Sequence, residues 1–225
     1  NQLQSALLIN DGSGKFDLRL LPRMVQISPG FGTALRDFNG DGNLDLCIAQ
    51  NFMNPQPETG QMDGGLGALL LGDGAGNFDQ LSPTASGISV PGQGMALTVS
   101  DFNEDALPDL LMSVNDGPSR AWINQAPAQG KQPLVVRLNA GTGNTHGVGS
   151  RLKVITQQGV QTYEVTAGSG YLSQSSPQIF ILNDPDNPIV RLQISWPDGT
   201  QQDYPFDEDM KSPIVIEKQT AVSKQ

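Results

Sequence analysis

The chain has 225 residues, 23 acidic against 13 basic for a formal charge of −10, with 26 glycines and 16 prolines. That balance offers no basic face to a nucleic acid, so many helix breakers argue against a helical bundle, and no apolar run reaches the length of a bilayer span. Recurrent Val/Ile/Leu stretches between the turns exclude full disorder, and no basic region leading into an apolar stretch marks a targeting segment.

In chain order, Ala6–Asn10 and Lys15–Leu20 read as strands joined by a Gly-rich hairpin turn at Asp11–Gly14. Phe31–Arg36 reads as a strand entering an acidic loop, and Leu44–Gln50 as the strand leaving it. Gly67–Leu71, the turn Asp73–Gly76 and Asn77–Leu81 complete a four-stranded unit. The pattern then repeats. LLINDGSGKFD at 7–17 returns as LLLGDGAGNFD at 69–79, an offset of 62. ALRDFNGDGNLDLCIAQN at 34–51 returns as TVSDFNEDALPDLLMSVN at 98–115, an offset of 64. A partial third copy of the first pattern lies at Arg120–Asn124. A unit of about sixty residues built from four antiparallel strands is a propeller blade. The chain opens on the third strand of one blade, holds one whole blade and stops after the third strand of another. A closed ring needs roughly four to eight blades, so further blades would have to come from missing sequence or from other chains.

Residues 1–125 are therefore expected to form an incomplete propeller, and 126–132 a Pro/Gly/Ala/Gln linker. Residues 133–225 carry β-rich runs at Leu134–Leu138, Ser150–Thr156, Gln161–Val165, Gln178–Leu182, Val190–Trp196 and Pro213–Glu217. They predict a separate small β-sandwich or barrel, and the fold class is all-β throughout.

Through Gly130 there are 14 acids and 5 bases, and beyond it 9 acids and 8 bases, so the acidity belongs to the repeats. Its centre is Asp37-Phe38-Asn39-Gly40-Asp41-Gly42-Asn43-Leu44-Asp45. Side-chain oxygens stand at positions 1, 3, 5 and 9, a backbone carbonyl is available at position 7 (Asn43), and Gly42 permits a sharp turn. A hard cation such as Ca²⁺ takes six to eight oxygens, and three close carboxylates repel without one. The second copy offers Asp101, Asn103, Asp105, the Leu107 carbonyl and Asp109, with Ala106 where the first has Gly42; a left-handed alanine there costs about 1 kcal/mol. The ten residues Asp37, Asn39, Asp41, Asn43, Asp45, Asp101, Asn103, Asp105, Leu107 and Asp109 are the candidate ligands of about two Ca²⁺ ions. An EF-hand is disfavoured, because position 12 is Ile48 or Met112 instead of Glu and both loops run into strands. The alternative is an ordinary Asp/Asn turn.

These motifs resemble the FG-GAP/VCBS repeat over about residues 5–125. The resemblance implies β-propeller blades, as in integrin α-subunits and bacterial surface proteins, with calcium in the Asp-rich loop. The second half resembles the ASPIC/UnbV domain, which typically follows such repeats in cartilage acidic protein and its bacterial relatives. The residues that carry it are Asn144, Gly147-Val148-Gly149-Ser150-Arg151, Ala167–Gln174 (AGSGYLSQ) and Trp196-Pro197-Asp198-Gly199. The segment Ile179–Asn183 departs from the family's Phe-Gly-Leu-Gly.

The remaining residues point to structure. The lone Cys47 lies in an apolar run and reads as a small buried hydrophobe. His146 has no His or Cys partner for zinc, and no serine sits in a GxSxG elbow. Tyr171 reads as an anchor of its loop on a sheet edge, Trp196 as core, and Asp203, Asp207, Glu208 and Asp209 as a solvated loop. No residue is put forward as catalytic. The function expected is a non-enzymatic, calcium-rigidified scaffold or adhesion protein, extracellular, cell-surface or periplasmic, with a surface protein or a glycan as partner. The alternatives are a carbohydrate-binding or accessory module of a secreted enzyme, or a subunit of a surface filament whose other chains complete the propeller.

Overall fold

The structure, a computed structural model, describes residues 3–219. It divides into two compact units. The first runs to Phe102, resumes at Pro108–Pro127 and includes Ser169–Ser175; the second takes Asn103–Leu107, Ala128–Gly168 and the chain from Ser176.

In the first unit, nine strands form sheets of two, four and three. Strands β1 (Ala6–Asn10) and β2 (Phe16–Leu20) make a hairpin. Strands β3 (Gly30–Arg36), β4 (Asp45–Gln50), β5 (Ala68–Gly72) and β6 (Phe78–Gln80) are antiparallel in the order β3-β4-β5-β6. Strands β7 (Gln93–Ser100), β8 (Asp109–Asn115) and β9 (Arg120–Trp122) repeat the first three of these. This is one whole blade flanked by two partial ones, as the repeats imply. Every residue of β4 is buried, because it is an interior strand with apolar neighbours on both faces. Leu46, Ile48, Ala68 and Leu70 of one face pack with Leu21 and Val25, and Leu7 and Phe78 close the cluster. Each large side chain so buried contributes about 1.5–3 kcal/mol. Cys47 is fully buried, and that burial pushes its thiol up to about 12.

The hairpin turns are alike. In each, one aspartate accepts two backbone N–H groups with Oδ1, Ser13 and Lys15 for Asp11, Ala75 and Asn77 for Asp73. These bonds hold both carboxyls below their ordinary value: for Asp11 the Ser13 N–H counts most, for Asp73 the Asn77 side-chain amide. A short helix, α1 (Pro83–Ser86), follows β6; the Ser82 hydroxyl caps it at Ala85 N, and left-handed Gly87 ends it.

The second unit has seven strands: β10 (Gln132–Asn139), β11 (Arg151–Thr156), β12 (Val160–Glu164), β13 (Ile179–Asn183), β14 (Ile189–Ser195), β15 (Gln201–Pro205) and β16 (Ile214–Glu217). They form sheets β13-β10-β16 and β12-β11-β14-β15, with β10 and β16 parallel. Leu134, Val136 and Ile216 of the first sheet share one core with Leu152, Leu192 and Ile194 of the second, so this is a two-sheet sandwich and neither sheet closes as a barrel. Strand β15 corrects one expectation. Asp203 stands on it, accepting a hydrogen bond from Gln193 Nε2 at 3.1 Å, and does not lie in a solvated loop. Its sequence, QQDYP, hides the strand because β15 is a sheet edge that alternates exposed with half-buried polar residues.

Candidate functional site

The acidic loop of the first unit joins β3 to β4 and is built almost wholly from its own hydrogen bonds. Asp37 accepts from Gly40 N at 2.7 Å and from Gly42 N at 2.8 Å. Asn39 Oδ1 accepts from Asp41 N, and its amide donates to Asp41 Oδ2 at 3.0 Å. Asp41 Oδ1 accepts from Asn43 N at 2.7 Å. Positions 4 and 6, Gly40 and Gly42, take left-handed φ of 77° and 98°, which glycine adopts freely.

Asp45 differs from the other carboxylates. It is fully buried, its Oδ2 accepts from Phe38 N at 2.8 Å and Asn39 N at 3.2 Å, and its Oδ1 accepts from Gly72 N at 3.0 Å. It thereby ties the start of the loop to the end of β5. Burial raises its carboxyl above the ordinary value, with the Asp37 charge adding to this and the Gly72 and Phe38 N–H groups opposing it. Gly72 has no room for a side chain, since a Cβ there would collide with Leu44 O.

The second loop repeats these features. Asp109, also fully buried, accepts from Phe102 N with Oδ2 and from Asn124 N with Oδ1, both at 2.7 Å. Asn103 Nδ2 donates to Asp105 Oδ2 at 2.8 Å, and Leu107 N donates to Asp105 Oδ1 at 2.9 Å. Positions 4 and 6 are again left-handed, now with Glu104 at 63° and Ala106 at 68°. Two non-glycine residues there cost about 1–2 kcal/mol each.

The donor set fits a hard cation: Asp37, Asp41 and Asp45 carboxylates, the Asn39 amide and the Asn43 carbonyl are all oxygen ligands on one nine-residue loop. The loop nevertheless spends its carboxylates on backbone N–H groups, and among the described residues no three acidic, His or Cys side chains converge. A carboxylate has about four lone-pair sites, so an oxygen already accepting an N–H retains capacity for a cation. The partners of the two buried aspartates, Gly72 and Asn124, were not legible as site residues. Their signal is positional: each stands two residues beyond the third-strand residue that faces the position after the aspartate, Leu70 facing Leu46 and Trp122 facing Leu110.

Two cavities open in the first unit. One, of about 530 Å³, lies beside the first loop; Leu69, Leu71, Ile88, Leu110, Trp122 and Asn39 are among its walls. The other, about 390 Å³, is more polar, with Asn54, Gln93, Asn115, Asp116 and Arg120. His146 is exposed, and Asn144 folds its own Gly-rich loop by pairing with Val148 N and O at 2.9 Å each.

Repeated antiparallel sheets, two of them with a buried aspartate that joins an acidic loop to the end of the third strand or the chain just past it, define a propeller-type repeat protein with an appended β-sandwich. The model of the FG-GAP-like repeat matches residues 37–112, and that of ASPIC and UnbV matches residues 140–221, the two domains in the order that the motifs imply. No curated protein matches the chain. FG-GAP-like repeats are typical of extracellular proteins, and among the described residues no helix is long and apolar enough to cross a membrane.

Proposed function

We propose that the chain is a non-enzymatic extracellular or cell-surface scaffold or adhesion module whose blades are stiffened by calcium. The observation that carries this reading is the second loop. It keeps the conformation of the first, left-handed at positions 4 and 6, although Glu104 and Ala106 make that shape costly. A mere turn would have no reason to hold both the shape and the oxygen spacing. Asp37, Asn39, Asp41 and the Asn43 carbonyl would hold the first ion, with Asp45 fixing the loop that presents them. By the same spacing the second loop would offer Asp101, Asn103, Asp105 and the Leu107 carbonyl, with Asp109, buried like Asp45, fixing the loop. A bound cation would neutralise carboxylates that otherwise repel.

Extracellular calcium modules bind at about 10⁻⁴–10⁻³ M, and ligand at ten times Kd stabilises by about 1.4 kcal/mol per site. Calorimetric titration with calcium should therefore give a saturable heat, and thermal denaturation should shift downward in EDTA. Asp41→Ala should abolish one site's heat and should lower the melting point in EDTA far less than it lowers the melting point in calcium. A chain whose melting is indifferent to calcium and EDTA would end this reading.

The partner is a surface protein, a glycan or a further blade. The last of these has a specific observation behind it. Leu8, Phe16 and Leu18 are exposed on one face of the β1–β2 hairpin, with Leu8 opposite Leu18. One repeat later the counterpart of Leu8, Leu70, is buried in the core and that of Phe16, Phe78, packs against it. Such a face suits another blade, supplied by further sequence or another chain. A hydrophobic fluorescent dye should bind here, and the Leu8→Lys/Leu18→Lys double variant should lose most of that signal. An unchanged signal removes the blade-docking reading.

A further inference from the structure

Strand β7 is the edge of its sheet, and in an antiparallel ladder alternate residues turn N–H and C=O away from the partner strand. The Leu97 carbonyl and the Val99 N–H meet the segment Ser169–Ser175, which belongs to the same compact unit. Val99 N donates to Ser175 Oγ at 3.1 Å, and the Ser173 hydroxyl lies 3.2 Å from Leu97 O and 2.8 Å from Ser169 O. Ser175 N donates to Ser169 Oγ at 2.7 Å, closing the segment on itself. The Tyr171 ring meets Phe31 edge-on at a centroid distance of 5.3 Å. Gly170 is left-handed, φ 66°, and a Cβ on it would stand 2.6 Å from Leu97 O. The first half of the same edge is covered differently: Gly32 of β3 lies so close that a Cβ would stand 2.7 Å from Leu97 N and Met95 O.

We infer that Ser169–Ser175 is an edge cap, which satisfies the outward backbone groups of β7 with serine hydroxyls and so withholds that edge from pairing with a strand of another molecule. An exposed strand edge is a template for unwanted pairing, and proteins cover it with a loop, a charge or a bulge. Serine suits the task, because one hydroxyl both donates and accepts without itself presenting a new strand edge. Gly170 permits the close approach, and Tyr171 holds the segment down.

The test is residue-resolved hydrogen exchange on the whole chain. Ser175→Ala removes the acceptor of Val99 N, so exchange at that amide should quicken at least tenfold while the amides paired between β8 and β9 keep their rates. Ser175→Thr, which restores the hydroxyl, should return Val99 to slow exchange. Gly170→Val, which would drive the segment off, should expose Val99 as well. Unchanged exchange at Val99 in Ser175→Ala overturns the inference. So does a rise spread evenly through β7, β8 and β9, because that would make Ser175 a general stabiliser and not a cap on one edge.

Discussion

Asp45→Ala is expected to destabilise the first unit by about 3 kcal/mol or more, a fall in melting temperature of roughly 10 °C, and to do so with or without calcium. The reason is the count of stranded donors. The carboxylate is fully buried and accepts from Phe38 N, Asn39 N and Gly72 N. Alanine removes the acceptor from all three, and the Phe38 and Gly72 N–H groups are buried, at about 1–3 kcal/mol for each left unsatisfied. Asp45→Asn should also fail, since its amide nitrogen would face a backbone N–H on one side or the other. The contrast with Asp41→Ala separates two roles within one loop. Asp41 accepts from the Asn39 amide and from Asn43 N inside its loop and, unlike Asp45, is not fully buried, so its loss should matter most where calcium is present. Equal melting of wild type and Asp45→Ala in EDTA would show that the three bonds contribute nothing. Melting that differs only with calcium would make Asp45 a ligand alone.

How this division of labour escaped the sequence has a physical explanation. Oxygen spacing within nine residues is local, and it was legible because side chains alternate in a tight loop. The job of Asp45 depends on Gly72, 27 residues later, and that of Asp109 on Asn124, 15 residues later. Only strand register brings these together. The left-handed Ala106 could be anticipated from its alignment with Gly42; Glu104 stands in the same relation to Gly40, and both are left-handed. Most strands were readable because one face is apolar and glycine-rich turns bound them. Strand β15 was not, because an edge strand with exposed polar residues carries no period-2 apolar signal. Tyr171 was expected to anchor its loop on a sheet edge, and its contact with Phe31 fits that, but nothing local pointed to β7 as the edge.

Trp196→Ala should cost the second unit about 3–5 kcal/mol, the range for removing a buried large aromatic from a core. The indole is 3% exposed and packs in the cluster shared by the two sheets of the sandwich. It also anchors a hairpin. Trp196 N donates to Thr200 O at 2.8 Å and Gly199 N to Trp196 O at 2.9 Å, so the Pro197-Asp198-Gly199 turn that brings β15 back onto β14 starts from this residue. On the far strand, Gln202 Oε1 accepts from Trp196 Nε1 and from Gln219 N, both at 3.1 Å, which joins the ring to the chain beyond β16. The turn is held from outside as well: Asp198 pairs with Lys218 and accepts from Thr200, and these hydrogen bonds, Lys218's first, bring its carboxyl down to about 2. Trp196→Phe keeps most of the apolar area and loses one half-exposed hydrogen bond, so it should cost only about 1 kcal/mol beyond the change in packing. Urea denaturation followed by circular dichroism distinguishes the two. A Trp196→Ala chain within 1 kcal/mol of Trp196→Phe would mean that the ring serves the turn and not the core, and the Trp-Pro-Asp-Gly string that marks this domain in the sequence would then record a hairpin requirement alone.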